Sequence, residues 1–310
     1  MIKQYIKILL FLALPLFSYT QSRIDSLKNS LMSSTDGYSR YKAARGIYDY
    51  YEEKNRDSAL YYTDEAVSIA KKYNQKVPEG YSLVNKAYQL IGLGRFGDAF
   101  QCLQKAFSIA EDTKNEKTDT WDLSLGNFSG NKRLLCLSYT HHMFALLMVR
   151  TENIERQIFH FKEAAKIGKA VNWLPRVMLA NMNLGQSYLT INKPDSALFY
   201  ESEAERLAVE INYKKYLGNI KVLMGDIYQA IGKPKMALQY YYRGIQISIE
   251  QGNLRSLSRN YLRLIKYHLA SGNNDSALYY SRQNLQTIQS LGSVTGTESN
   301  VGIGYENMYM

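Results

Sequence analysis

The stretch Asp57-Ser58-Ala59-Leu60-Tyr61-Tyr62 decides the fold, because it recurs along the chain. Residues 275–280 repeat it unchanged, and residues 195–200 repeat it with phenylalanine in place of the first tyrosine. Weaker copies place further alanines in register, so that alanines stand at positions 59, 99, 197, 237 and 277. The period is about 40 residues. The single longer gap, between positions 99 and 197, is explained by one degenerate repeat, in which Gln157 replaces the alanine, and by an insertion of about 18 residues. Self-similarity at a fixed period of this length indicates an array of repeats.

Each repeat resembles the tetratricopeptide (TPR) helix–turn–helix unit, lengthened to about 40 residues. The small residue of its first helix is Ala87, Ala145, Gly185 or Gly225, with Ile47 and Ile265 as departures. A chain-breaking residue follows at Gly94, Asn192, Gly232 and Gly272, with Lys54 and Glu152 as departures. Small residues let two helices approach closely, and Gly or Asn tolerates the left-handed conformation that ends a helix. Asp57, Asp195 and Asp275 are then expected to satisfy free N–H groups at the start of the second helix.

These features predict an all-α, TPR-type α-solenoid of about six antiparallel helix pairs in a right-handed superhelix. The predicted segments are a signal peptide at 1–20, a helical cap at 21–39, repeats 1–2 at 40–113, an inserted loop at 114–132, repeats 3–6 at 133–292 and the start of an incomplete further repeat at 293–310. The inserted loop is polar and rich in turn residues. A loop of this length is either functional or disordered, and Trp121 and Phe128 are expected to pack back onto the array.

The first twenty residues have the layout of a cleavable signal peptide. Lys3 and Lys7 precede a ten-residue apolar run at 8–17, and small residues at Ser18 and Thr20 follow it. We therefore expect an exported protein, periplasmic or extracytoplasmic, with an uncleaved membrane anchor as the alternative. The formal net charge is +10, but no dense Lys/Arg run occurs, so a solvated basic surface is preferred to a nucleic-acid site.

Motifs for catalysis are absent from the sequence. It contains no phosphate-binding glycine loop, nucleophile elbow or kinase signature. Its four histidines and two cysteines do not suggest a metal site, so we expect neither an enzyme nor a cofactor. Cys102 and Cys136 flank the insertion and either form a disulfide or, as we prefer, remain free thiols.

The resemblance to TPR proteins implies a protein or peptide ligand in a concave groove lined by first helices. The groove positions most suited to binding are aromatic at the N-terminal end and basic at the C-terminal end: Tyr41, Arg45, Tyr48, Tyr81, Tyr88, Asn183, Gln186, Asp226, Arg259, Arg263 and Lys266. An extended peptide with an apolar part and an acidic part would fit them. Alternatively, these residues only pack between helices. The Lys and Asn pair with which chaperone-binding members clamp a carboxylate is not found at the matching positions.

Two functions follow from the resemblance. A signal peptide before lengthened repeats of this kind resembles the extracytoplasmic sensor region of Bacteroidetes histidine kinases and transcriptional regulators. The unfinished repeat at 300–310 favours this interpretation, and membrane contact is then expected only through a region beyond Met310. The alternative is a free-standing periplasmic or secreted adaptor that assembles other proteins.

Overall fold

The computed structural model describes residues 22–123, 128–149 and 153–295, and within these ranges the regular structure is entirely helical. The α-helices of these ranges are α1 (22–33), α2 (Gly37–Tyr51), α3 (Arg56–Lys72), α4 (Lys76–Gly92), α5 (Phe96–Glu111), α6 (Asn115–Thr118), α7 (Lys132–Met148), α8 (Ile154–Ala170), α9 (Leu174–Thr190), α10 (Pro194–Glu210), α11 (Leu217–Ala230), α12 (Pro234–Glu250), α13 (Leu254–Ala270) and α14 (Asn274–Thr295). A short 3₁₀ turn, Lys214–Tyr216, precedes α11. The predicted signal peptide and most of the predicted further repeat, residues 296–310, lie outside the described residues.

The chain forms two compact units that divide between Met143 and Phe144, inside α7. In the N-terminal unit, α2 pairs with α3 and α4 pairs with α5. In the C-terminal unit, the pairs are α9 with α10, α11 with α12 and α13 with α14. The prediction of an all-α, TPR-type fold built of antiparallel helix pairs is confirmed in both units. None of the helices in the described ranges is both long and apolar enough to span a bilayer.

Most turns between consecutive helices share one backbone geometry. An Asn or Gly with positive φ stands in each of them, at Asn74, Gly94, Asn172, Asn192, Asn212, Gly232, Gly252 and Gly272. The next residue donates its N–H to the carbonyl five positions back, as Lys193 does to Tyr188 at 2.9 Å. The α2–α3 turn, where Lys54 takes the breaker position, lacks such a residue. Within each unit the numbers of these positions rise in steps of twenty. Each repeat therefore consists of two similar helix-plus-turn halves. The sequence patterns predicted the turn residue after the first helix of a pair and not the one after the second helix.

Asparagine side chains cap two of the three helices for which the sequence suggested aspartate, whereas α10, which contains Asp195, follows Lys193 and has no side-chain cap. Asn55 and Asn273 accept the N–H groups of the residues three positions later, at 2.8 and 3.1 Å. Asp57 and Asp275 lie inside the first turn instead, where their charge complements the helix dipole. The expectation that these aspartates satisfy the free N–H groups was therefore wrong, because the cap position is two residues earlier.

The recurring alanine is a buried residue of the second helix in its pair. Ala59, Ala99, Ala197 and Ala237 have no exposed surface, and Ala277 is 3% exposed. Nearby, a small residue of the first helix faces a larger one of the second. At Gly225, an added Cβ would lie 2.4 Å from the ring of Tyr241. The periodicity in the sequence thus records this close approach.

The inserted segment is anchored to the N-terminal unit. The Asp119 carboxylate accepts the backbone N–H groups of Lys76 and Val77, at 2.6 and 2.5 Å, and so caps α4. The Trp121 ring packs against three tyrosines, Tyr38, Tyr41 and Tyr73, with centroid distances of 5.8, 5.6 and 5.4 Å. The described part of the insertion thus fixes the beginning of α4 and covers the adjacent aromatic side chains.

Candidate functional site

The aromatic residues predicted for the N-terminal end of the groove are mostly interior. Tyr41, Arg45, Tyr48 and Tyr81 are at most 6% exposed, and only Tyr88 is half-buried. The Arg45 guanidinium lies over the rings of Tyr48 and Tyr81, 5.1 and 5.3 Å from their centroids. The Tyr41 ring packs on Trp121 and the Tyr81 ring packs on Tyr139, with centroid distances of 5.6 and 5.3 Å. These four side chains are therefore interior, and their part in ligand binding stays a prediction.

Residues predicted for the C-terminal end come together around open space. Within the C-terminal unit, first helices α9, α11 and α13 line two adjoining cavities. The larger, of about 500 Å³, is lined by Leu189, Asp226, Gln229, Tyr241, Arg263, Lys266, Tyr267 and Ala270. The smaller, of about 70 Å³, is lined by Met182, Asn183, Gln186, Asn219, Val222, Leu223, Asp226, Arg259 and Arg263. We call the two together the C-terminal groove. Asp226 and Arg263 line both cavities.

An ion pair crosses the C-terminal groove between neighbouring repeats. Arg263 Nε on α13 donates to Asp226 Oδ2 on α11 at 2.8 Å. The Tyr241 hydroxyl on α12 donates to the other carboxylate oxygen, Asp226 Oδ1, at 2.9 Å. Burial raises the pKa of Asp226, and the positive charge of Arg263 opposes that rise. Both carboxylate oxygens are therefore occupied by donors from the protein itself.

The other polar residues of the groove differ in accessibility. Asn183 is buried, and its side-chain amide donates to the Leu179 carbonyl at 2.7 Å. Gln186 and Arg259 are half-buried, and Lys266 is exposed. The lining thus contains three cationic side chains and one carboxylate, which makes the groove a favourable environment for an anionic ligand.

Sequence reasoning missed five residues of the larger cavity, two of which, Leu189 and Ala270, lie at the ends of first helices α9 and α13. Tyr241 lies on a second helix, which the projection of groove positions did not include. Gln229 and Tyr267 lie on first helices but beyond the projected positions. The 40-residue period does align Tyr241 with Phe161 and Glu201, the large side chains at the same position of the second helix. This alignment is the sequence feature that could have drawn attention to Tyr241.

The cysteines and histidines do not form a second site in the described parts of the chain. Cys102 and Cys136 are both free thiols, the first half-buried and the second buried. Burial raises the pKa of the Cys136 thiol to about 12. No group of three His, Cys, Asp or Glu side chains within the described ranges is placed to hold a metal ion.

Comparisons with known proteins agree with the repeat architecture. Residues 18–117 match the family described as the SusR N-terminal TPR domain. None of the curated proteins matches the sequence.

Three solved structures illustrate the similarity of fold. The apo form of RapI is 14% identical, with 88% of this chain and 91% of that chain covered and a TM-score of 0.64. A Rap protein complexed with competence and sporulation factor is 15% identical, with 90% and 74% covered and a TM-score of 0.64. The Rap conjugation gene regulator of plasmid pLS20, in complex with a Phr peptide, is 14% identical, with 85% and 64% covered and a TM-score of 0.59. The chain therefore has a TPR-type fold of antiparallel helix pairs, and its residues 18–117 are similar to the SusR N-terminal TPR domain.

Proposed function

We propose that this protein binds an extended peptide or protein segment in the C-terminal groove. The observation that carries the proposal is the cavity of about 500 Å³ beside the Asp226–Arg263 pair, lined largely by first helices. Ligand-binding clefts in proteins commonly have volumes in this range. The solved Rap structures support the ligand class, since one holds competence and sporulation factor and another holds a Phr peptide.

The composition of the groove favours a ligand with apolar and acidic parts. Leu189, Tyr267 and Ala270 provide apolar surface in the larger cavity. Arg259, Arg263 and Lys266 provide positive charge along α13. Because apolar contacts supply affinity and charge supplies orientation, both parts of the peptide contribute to recognition.

The test uses residues 21–310, the expected mature chain, and a displayed library of random dodecapeptides. We expect the wild-type chain to enrich peptides that contain Asp or Glu beside apolar residues. The double variant Arg259→Glu/Arg263→Glu should lose those peptides. Arg243→Glu/Arg282→Glu is the matched control, because these arginines are exposed on second helices and do not line the groove. Equal recovery of the same peptides by both double variants would contradict the proposed site.

The biological setting belongs to the same proposal. We place the protein outside the cytoplasm, as the sensor or interaction portion of a bacterial signalling protein. Two observations support this setting: the signal-peptide pattern of residues 1–20 and the match to the SusR N-terminal TPR domain. Export is tested by fractionating cells that express the full chain and sequencing the N-terminus of the product. Cleavage after Thr20 is expected, and an intact N-terminus in the cytoplasmic fraction would refute export.

A free-standing adaptor that assembles other proteins is the second candidate, because the same groove would serve it. The coding sequence downstream of the Met310 codon distinguishes the two. A continuing frame that encodes an apolar span supports the sensor, whereas a stop codon supports the adaptor.

A further inference from the structure

The guanidinium of Arg263 is engaged on one side only. Its Nε donates to Asp226 Oδ2 at 2.8 Å. Its terminal nitrogens, Nη1 and Nη2, make no hydrogen bond to any residue in the ranges that the structure describes, although Arg263 lines both cavities. An arginine with Nε occupied still presents two parallel N–H groups on its outer edge. That edge is available to a ligand in the groove.

The orientation of this edge is set by the protein. Asp226 holds Arg263 through one oxygen and is itself held by the Tyr241 hydroxyl at the other oxygen, at 2.9 Å. The three residues come from α11, α12 and α13, so the arrangement bridges two repeats. Asp226 and Arg263 are only 19% and 21% exposed, so little water competes with their hydrogen bonds. A guanidinium positioned in advance loses less side-chain entropy on binding.

The charge around Arg263 selects the sign of the ligand. Arg259 lies four residues before it and Lys266 three residues after it on α13, so all three occupy one helix face. Asp226 compensates for one of the three positive charges. Both oxygens of Asp226 already accept a hydrogen bond from the protein, and the neighbouring Arg263 balances its charge, so the carboxylate attracts a cationic ligand group less than a free carboxylate would. A ligand anion finds the unused outer edge of the Arg263 guanidinium and two further cations.

We infer that Arg263 is a carboxylate receptor in the C-terminal groove, with Asp226 and Tyr241 as positioning residues, and that it binds a carboxylate of the ligand peptide. The inference rests on the proposed function, which supplies the peptide. A carboxylate is planar and has two oxygens at the spacing of the guanidinium edge, so it forms two parallel charge-assisted hydrogen bonds there. The carboxylate comes either from an Asp or Glu side chain or from the peptide C-terminus.

The first experiment compares amide and acid forms of one peptide. The most strongly enriched dodecapeptide from the library is synthesised in four forms: unchanged, with its acidic side chains as amides, with its C-terminus as an amide, and with both changes. We expect at least a tenfold loss of affinity for the form that lacks the receptor's carboxylate, measured by isothermal titration calorimetry. The amide form whose affinity falls identifies the carboxylate that Arg263 binds, either an acidic side chain or the peptide C-terminus. Equal affinity for all four forms overturns the inference, while the binding itself leaves the proposed function standing.

The second experiment separates a positioned receptor from general attraction to positive charge. Asp226→Ala makes the groove more positive by one charge, so general attraction predicts tighter binding of the acidic peptide. The positioned receptor predicts weaker binding, because Arg263 loses the partner that orients it. Glu203→Ala is the matched control, since it removes an acidic group that is 38% exposed on α10 and does not line the groove. Tighter binding by Asp226→Ala overturns the inference.

Two further variants complete the test. Arg263→Lys keeps the charge and removes the planar fork, so affinity for the acid form should fall about tenfold while affinity for the doubly amidated form is unchanged. Tyr241→Phe should produce a smaller loss with the same selectivity for the acid form. A purely structural role for Tyr241 or Asp226 would lower the affinity for both forms equally, and that result also counts against the inference. Circular dichroism melts verify that each variant is folded at the temperature of the measurement.

Discussion

The carboxyl group of Glu201 packs directly against Gly185, since a Cβ added at Gly185 would lie 2.6 Å from Glu201 Oε2. Glu201 is completely buried on α10, and neither carboxyl oxygen has a hydrogen-bond partner among the described residues. In the next pair, Tyr241 occupies the same position opposite Gly225. Glu201 therefore fills a site that belongs to a large apolar or aromatic side chain. Burial raises the pKa of Glu201 well above its usual value, with a further contribution from Glu205.

Replacing Glu201 with leucine should stabilise the protein at pH 8. Leu103 occupies the equivalent repeat position and is completely buried, so leucine is accommodated there. An acid whose pKa is higher in the folded state loses protons on unfolding, so stability falls as pH rises from about 4.5, the unfolded value. Glu201→Leu should remove this fall and gain about 1–4 kcal/mol at pH 8, by urea denaturation at pH 5 and pH 8. Glu203→Gln is the control, and a Glu201→Leu variant less stable than wild type at pH 8 would contradict the interpretation.

Adding a methyl group at Gly225 should destabilise the C-terminal unit. The new Cβ would lie 2.4 Å from the Tyr241 ring and 3.1 Å from the Ala237 carbonyl, so α11 and α12 would have to separate. We expect Gly225→Ala to lower the free energy of unfolding by about 1–3 kcal/mol, measured by chemical denaturation. Gly97→Ala is the matched control, because nothing lies within 4 Å of its added Cβ and helix propensity favours alanine. Similar effects of the two substitutions would argue against close approach as the cause.

The turn residue Asn192 should tolerate glycine but not alanine. Its φ is 55°, in the left-handed region where a Cβ is unfavourable and where Asn is better tolerated than other non-glycine residues. Asn192→Ala should therefore cost about 1 kcal/mol, whereas Asn192→Gly should be neutral or slightly stabilising. Thermal unfolding of the two variants gives the comparison. If alanine and glycine prove equivalent, the left-handed conformation is not what selects asparagine here.

Loss of the Asp119 cap should loosen the start of α4. The carboxylate accepts two backbone N–H groups there, so Asp119→Ala should cost about 1 kcal/mol and speed hydrogen exchange at Lys76 and Val77. Asp122→Ala is the control, because among the described residues the Asp122 side chain accepts only the N–H of its own neighbour, Leu123. Unchanged exchange at Lys76 and Val77 in the Asp119 variant would show that the cap contributes nothing.

Sequence patterns predicted the helix pairs well because the pairs depend on local, repeated features. The buried alanine of the second helix recurs in every repeat except the one that has Gln157, and its burial explains the recurrence. The sequence patterns did not predict the left-handed turns at Asn74, Asn172, Asn212 and Gly252, because the Asp-Ser-Ala string or its weaker copy, which marks the other turns, does not follow them. Asn and Gly replace one another at these turns because both tolerate the left-handed conformation, so no single residue type marks the turns in the sequence.

The candidate site was only partly predictable because burial depends on distant parts of the chain. Tyr41 and Arg263 both occupy first-helix groove positions, yet Trp121 of the inserted segment covers the first while the second borders open space. The position of Trp121 follows from Asp119 and Gln75, whose hydrogen bonds join the insertion to the start of α4 across sequence separations of 43 and 46. Tyr241 was missed for a related reason, because it reaches Asp226 from the other helix of its pair.

The uniform turns have a consequence for how such a gene can change length. Residues 173–212 and 213–252 each begin just after a left-handed asparagine and end on a left-handed residue, Asn212 or Gly252. Unequal recombination between these segments joins one turn to an equivalent turn, so a daughter gene gains or loses one whole helix pair without a new loop. The gain of a single helix with its turn would instead exchange the roles of first and second helices in everything downstream. A change in length by whole pairs therefore preserves the alternation of first and second helices, and each added pair supplies one more first-helix surface.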